Sequence, residues 1–138
     1  MSRSSLVSLW LLVLVVAAAV SPLATRSQAQ ARSQSVRHVV VFKYTPAATP
    51  AQIQKVTDAF RALATSIPGI TGFEDGVNNS PENKHQGFTH VYLLTFESTA
   101  ARDAYLPHPA HAAFGKTLRS SGIFVDAFVV DYVSNVTK

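Results

Sequence analysis

Residues 88–97, Phe88-Thr89-His90-Val91-Tyr92-Leu93-Leu94-Thr95-Phe96-Glu97, are a strand by alternation. Phe88, His90, Tyr92, Leu94 and Phe96 fall on one face, and Thr89, Val91, Leu93 and Thr95 on the other. Arg37 to Tyr44 also alternates, and its apolar residues on both faces predict a strand covered on both sides, as in a central strand or one meeting a partner sheet. His38, Val40, Phe42 and Tyr44 share one face, while Val39, Val41 and Lys43 share the other.

Working outward, Thr49-Pro50 opens a helix, with Thr as N-cap and Pro in the first turn. Ile53, Val56, Phe60, Leu63 and Ile67 form one apolar stripe along it, and Pro68-Gly69 ends it. Ile70 to Asn78 reads as a strand broken by Gly72 and Gly76, which marks a bulge or a close backbone approach. Residues 79–87, NSPENKHQG, form a polar loop. Ser98 caps a short helix through Leu106. Pro107-His108-Pro109 interrupts it, because each proline disfavours helical geometry in the residue before it. A further helix runs from about Pro109 to Ser120, Gly122 ends it, and Ile123 to Val133 is the last strand.

The order is strand, helix, strand, strand, helix pair, strand. It predicts a ferredoxin-like α+β layer, a four-stranded antiparallel sheet with helices on one face. Strand parity leaves Val39, Val41, Val91 and Leu93 on the uncovered face, which predicts a homodimer formed sheet to sheet.

The chain has 138 residues, 14% charged and 47% hydrophobic, with no cysteine. One folded domain is the expectation. Disulfides, thiolate metal sites and thiol nucleophiles are excluded. Residues 1–31 read as a secretory signal peptide. Arg3 precedes an apolar run from Leu6 to Val20, Pro22 breaks it, and Ala29-Gln30-Ala31 places cleavage after Ala31. The run of about fifteen residues falls short of the roughly 20 that span a bilayer. A retained membrane anchor is therefore not expected, and the protein is expected in the periplasm or outside the cell. Removing the leader takes two arginines, Arg3 and Arg26, and no acid. It leaves 107 residues with ten basic and eight acidic side chains. With the charge so nearly balanced and no basic cluster, no nucleic-acid footprint is expected. Arg102, Lys116 and Arg119 read as scattered, solvated helix-surface residues. Residues 32–35 are a polar lead-in, 36–133 the domain and 134–138 a tail.

The side chains suited to chemistry are His38, His90, Tyr105 and His111. His38 and His90 lie on strands the fold makes neighbours, and parity points both toward the helices. Tyr105 and His111 flank the proline break and can converge over the end of the sheet. Histidine titrates near neutrality and serves as a base, and a phenol beside it can donate to a carbonyl oxygen. Structural roles compete with this: buried histidines bonded to backbone, and a Tyr/His pair that ties down the corner. His108-x-x-His111 has ligand-like spacing, but Pro109 intervenes and Asp103 is the sole acid close by in sequence, so no metal or other cofactor is expected. His85, in the polar loop, reads as solvated.

Several segments resemble the stress-responsive A/B barrel (Dabb) family. They are His38-Val-Val-Val-Phe-Lys43, Ile67-Pro68-Gly69, Ser80-Pro81-Glu82, Gln86-Gly87-Phe88-Thr89-His90, Tyr105-Leu-Pro-His-Pro-Ala-His111 and Val130-Asp131-Tyr132. The resemblance covers about residues 36–133. It implies a dimeric α+β barrel built from two ferredoxin-like protomers. The family is functionally mixed and includes a plant polyketide cyclase in which a Tyr and a His at this corner close an aldol ring. Tyr105 and His111 match those two positions, His38 and His90 match two pocket-side histidines, and Phe114 and Gly115 match the pocket-lining stretch.

Three readings follow. The first is an exported small-molecule-binding or stress-associated dimer, with a pocket for a hydrophobic ligand between sheet and helices lined by Val40, Phe42, Phe60, Tyr92 and Phe114. The second is a cyclase-like enzyme, a lyase or isomerase, with His111 as general base and Tyr105 as its partner. In that case Ala112, Ala113 and Gly115 leave room for an opening at the corner. The third is a structural dimer without ligand.

Overall fold

The computed structural model describes residues 35–135. The expected leader, its expected cleavage point and most of the lead-in and tail lie outside the described residues.

Strand β1 (Val36–Tyr44) runs through the middle of the sheet. Helix α1 (Pro50–Arg61), a single turn α2 (Leu63–Ser66), β2 (Ile70–Val77), β3 (His90–Phe96), α3 (Thr99–Tyr105), α4 (Pro109–Ser120) and β4 (Phe124–Val133) follow. The sheet order is β2-β3-β1-β4, with antiparallel neighbours throughout. This is the ferredoxin-like order expected from the sequence.

Local chemistry sets the element ends. Thr49 and Gln52 form a capping box: Thr49 Oγ1 accepts from the Gln52 N–H, and Gln52 Oε1 accepts from the Thr49 N–H at 2.9 Å. The apolar stripe on α1 predicted one helix up to Pro68. The chain instead breaks at Ala62, whose carbonyl accepts from the hydroxyls of Thr65 and Ser66. Such side-chain bonds compete with the helical ladder and tighten the last turn. The stripe itself survives the break, since Val56, Phe60, Leu63 and Ile67 are all buried. Gly69 has φ +86°, and a Cβ there would lie 2.6 Å from the Ala101 Cβ. Only glycine fits between β2 and α3. The bulge expected around the β2 glycines falls between Ile70 and Gly72.

The core lies between the sheet and the helices. Phe60 stacks on Phe42 and on Phe114, at ring separations of 5.7 and 4.6 Å, and Tyr92 packs against both Phe42 and Phe60. Burying each such side chain contributes about 1.5–3 kcal/mol. On the other side of the sheet no helix among the described residues covers Val39, Val41, Val91 and Leu93, which are half-buried. The edge strand β4 extends this apolar surface through Phe128, 53% exposed, and Val130 and Tyr132.

Candidate active site at the Tyr105–His111 corner

β4 pairs with β1 so that Asp131 stands directly opposite His38. Nδ1 of His38 lies 2.5 Å from Oδ1 of Asp131. With the carboxylate accepting, Nδ1 carries the hydrogen and Nε2 is left with the lone pair in the neutral ring. The other oxygen of Asp131 accepts from Arg102 Nη1 on α3, and Arg102 Nε donates to Asp103 at 2.8 Å. Arg102 is therefore not the solvated surface residue expected from its scattered position. Its guanidinium reaches down from α3 and ties the helix to β4.

Tyr105 closes α3 and is fully buried. Its ring meets the edge of His38 at 5.6 Å and that of Phe96 at 5.1 Å. The ring of His111, on the first turn of α4, lies over it at 4.2 Å. Pro107 and Pro109 make this possible by forcing the chain to turn between the two helices. His111 Nδ1 donates to the Leu106 carbonyl at 3.0 Å, which fixes its tautomer and leaves Nε2 free. The Nδ1 of His108 accepts from the Ala110 N–H and caps α4.

The Tyr105 hydroxyl is buried with no hydrogen-bond partner among the described residues. Burial, reinforced by the nearby Asp131 charge, pushes the phenol above its ordinary value. It is a neutral donor at physiological pH, and an orphaned buried donor has a cost that calls for a reason. The corner thus holds one unengaged O–H on a ring that contacts two imidazoles, each with its tautomer set by an oxygen acceptor on Nδ1.

The structure brings together His38, Tyr105 and His111 but not His90. His90 pairs with Phe42, while His38 pairs with Leu94, about 13 Å away along β1 at 3.3 Å per residue. Parity places both histidines on one face and says nothing of their distance along it. Val40, Phe42, Phe60, Tyr92 and Phe114, expected to line a pocket, are buried together in the core between sheet and helices, and Tyr92 also borders a cleft of about 280 Å³ with Ile53, Thr57, Asp75, Val77 and His90. Gly115 lies on α4 beside the Arg119 guanidinium, and Ala112 and Ala113 are exposed on the same helix. His85 is half-buried and accepts from the Gly87 N–H at 3.0 Å. It borders a cavity of about 400 Å³ with Val41, Phe88, Val91 and Phe128 on the uncovered sheet face.

Asp131 and Arg102 were missed as site residues. The signal for Asp131 was present: an acid at an inward position of the apolar run Phe128–Val133. For Arg102 no sequence signal separates it from a surface cation.

The model of the stress responsive A/B barrel domain matches residues 36–134. The chain belongs to the Dabb family. Olivetolic acid cyclase of Cannabis sativa is 34% identical over 86 residues, 62% of this chain and 85% of that protein. Among solved structures, hydroxynitrile lyase from Passiflora edulis superposes with a TM-score of 0.68 at 26% identity, covering 77% of this chain and 98% of that one. A dimeric ferredoxin-like protein of unknown function from Jannaschia sp. CCS1 gives a TM-score of 0.60 at 29% identity, covering 71% of this chain and 97% of that one. Some Dabb relatives are thus enzymes of different reaction types, held on one scaffold.

Proposed function

We propose that this Dabb protein is an exported homodimer that binds a small carbonyl compound at the Tyr105–His111 corner and moves a proton on it. The observation that carries the reading is the Tyr105 hydroxyl, buried without a partner among the described residues on a ring that contacts those of His38 and His111. A ligand oxygen supplies the missing acceptor. In the reaction, His111 Nε2 takes a proton from the carbon next to the carbonyl, and the charge that develops on oxygen is met by the Tyr105 O–H. The imidazolium then returns the proton to the product. His38, steadied by Asp131 and Arg102, offers a second nitrogen to the ligand. A cyclase and a lyase among the relatives support this class of chemistry. The open apolar sheet face and the dimeric relative support the homodimer. The leader-like residues 1–31 support export, with cleavage after Ala31, which N-terminal sequencing of the exported protein checks.

The test is deuterium exchange at the α-carbon of 2-heptanone and of acetophenone in D2O, followed by proton NMR. The reading expects exchange above the buffer rate that is lost in both His111→Ala and Tyr105→Phe, with the thermal midpoint nearly unchanged. Exchange no faster than buffer for both ketones, or exchange that survives both substitutions, overturns it. Binding without turnover uses the same hydroxyl, and a reproducible small-molecule adduct in the native mass spectrum of the exported protein distinguishes it.

A further inference from the structure

The outer face of the sheet, turned away from the helices and the Tyr105 corner, carries a cavity of about 400 Å³ where the 79–87 loop folds back. It lies at one end of the face proposed to pair two copies. Its floor is apolar: Val41 of β1, Val91 of β3 and Phe128 of β4, with the Phe88 ring 6.4 Å from that of Phe128. It holds roughly thirteen groups of the size of water, at about 30 Å³ each.

The loop is fastened beside this floor. Gly87 has φ +86°, and a Cβ there would lie 2.7 Å from Lys43 Cε, so glycine lets the loop rest on the lysine stem. Lys43 Nζ donates to the Gln86 carbonyl at 3.0 Å and sits 5.8 Å over the Phe88 ring. The Phe88 N–H donates to the His85 carbonyl at 2.8 Å. The rim is thus held in place within one chain.

The rim offers hydrogen-bond donors. His85 Nδ1 accepts from the Gly87 N–H at 3.0 Å, so Nε2 carries the hydrogen in the neutral ring. Asn78 Oδ1 accepts from the Ser80 N–H at 3.2 Å, which leaves the Asn78 NH₂ group to donate. Lys84 adds a cation, and among the described residues none that lines the cavity is acidic. Two acids lie outside the lining: Glu82 in the same loop, and Asp126, which stands opposite Lys43 in the register of β1 with β4. An apolar floor under donors and one cation suits a carboxylate on a hydrocarbon chain. The valines of a second copy would answer the floor but leave these donors without an acceptor.

We propose that this cavity binds a medium-chain monocarboxylate, its carboxylate held by Lys84, His85 Nε2 and Asn78 and its chain laid on Val41, Val91 and Phe128. The site does not depend on the carbonyl chemistry at Tyr105.

The probe is octanoate, titrated at neutral pH into the ¹⁵N-labelled protein, with butyrate, octylamine and 1-octanol as counterparts. The amides of Asn78, His85, Val91 and Phe128 are expected to shift saturably with octanoate, and those of Tyr105 and His111 to stay in place. Butyrate, which lacks the chain, and octylamine, which carries the wrong charge, should each bind at least tenfold more weakly. Lys84 is exposed and outside every helix and strand. Lys84→Ala should therefore leave the fold and 1-octanol binding unchanged while weakening octanoate at least fivefold, and Lys84→Glu should weaken octanoate further. No saturable shift, as when a second copy of the chain fills the cavity, overturns the proposal. So do shifts centred on Tyr105 and His111, equal binding of octylamine, or undiminished octanoate binding in Lys84→Glu.

Discussion

His38 Nδ1 and Asp131 Oδ1 meet at 2.5 Å, although 93 residues separate them in the chain. The contact follows from the register of β1 with β4. It leaves His38 with one tautomer while the carboxylate is present. Asp131→Ala removes that acceptor, and the ring then populates both tautomers, visible in the long-range ¹⁵N–¹H spectrum of His38. The same change strips the buried imidazole of its partner and leaves Arg102 bridging only to Asp103. A loss of about 1–3 kcal/mol in unfolding free energy is expected, measured by urea titration.

Tyr105→Phe separates function from structure. It deletes one hydroxyl that bonds nothing among the described residues and keeps the ring contacts with His38, Phe96 and His111. Stability should hold or rise by up to about 1 kcal/mol, because a buried unsatisfied group is removed. Ketone exchange should vanish. A clear fall in the thermal midpoint would instead show that the hydroxyl serves the fold.

Stability should be greatest in a window bounded by His90 and by two tyrosines. Burial lowers the His90 value below that of an ordinary histidine. The unfolded chain therefore takes up a proton below about pH 6.5 that the folded protein resists, and stability falls as the pH drops through the folded value. Burial raises Tyr44 and Tyr105, helped by Tyr92 and Asp131 respectively. Their contribution is complete below about pH 10, where free tyrosine begins to ionise, and is lost as the pH rises toward the folded values. Urea midpoints at about pH 5, 8 and 11 should peak at the middle value, and His90→Gln should flatten the acid side alone.

Phe128→Asp tests the uncovered sheet face. Phe128 sits beside Val41 on that face and is half-exposed in the single chain. A charge at the centre of an apolar interface should raise the dimer dissociation constant at least about thirtyfold, the equivalent of a 2 kcal/mol hot spot. Sedimentation equilibrium measures it. An unchanged dimer would place the interface elsewhere.

Much of the fold was legible because it rests on periodicity. The alternation of β1 and β3 put His38, Val40, Phe42, Tyr92 and Leu94 on the helix side, and all five are buried there. The Thr49-Pro50 start of α1 and the proline corner before α4 were legible from capping and backbone restriction. What parity omits is register and volume. His38 and His90 share a face yet sit at opposite ends of it, because the slide of one strand along another leaves no trace in alternation. Five inward residues of the right chemistry suggested a pocket, but whether such rings enclose space or fill it depends on how their volumes sum across the layer. Asp131 shows the same limit. Its meaning depends on facing His38 on another strand, which only the pairing of the first and last strands reveals.

That pairing also governs when the corner comes into being. β1 and β4 enclose nearly the whole domain between them, so their contact closes the longest loop in the fold. Loop closure costs entropy that grows with the logarithm of length, and long-range pairings of this kind slow folding. A chain emerging from synthesis carries His38 at the start of the domain and Asp131 in its last strand. It holds no oriented imidazole at β1 until its final strand docks, so the reactive geometry and the completed native state arrive together.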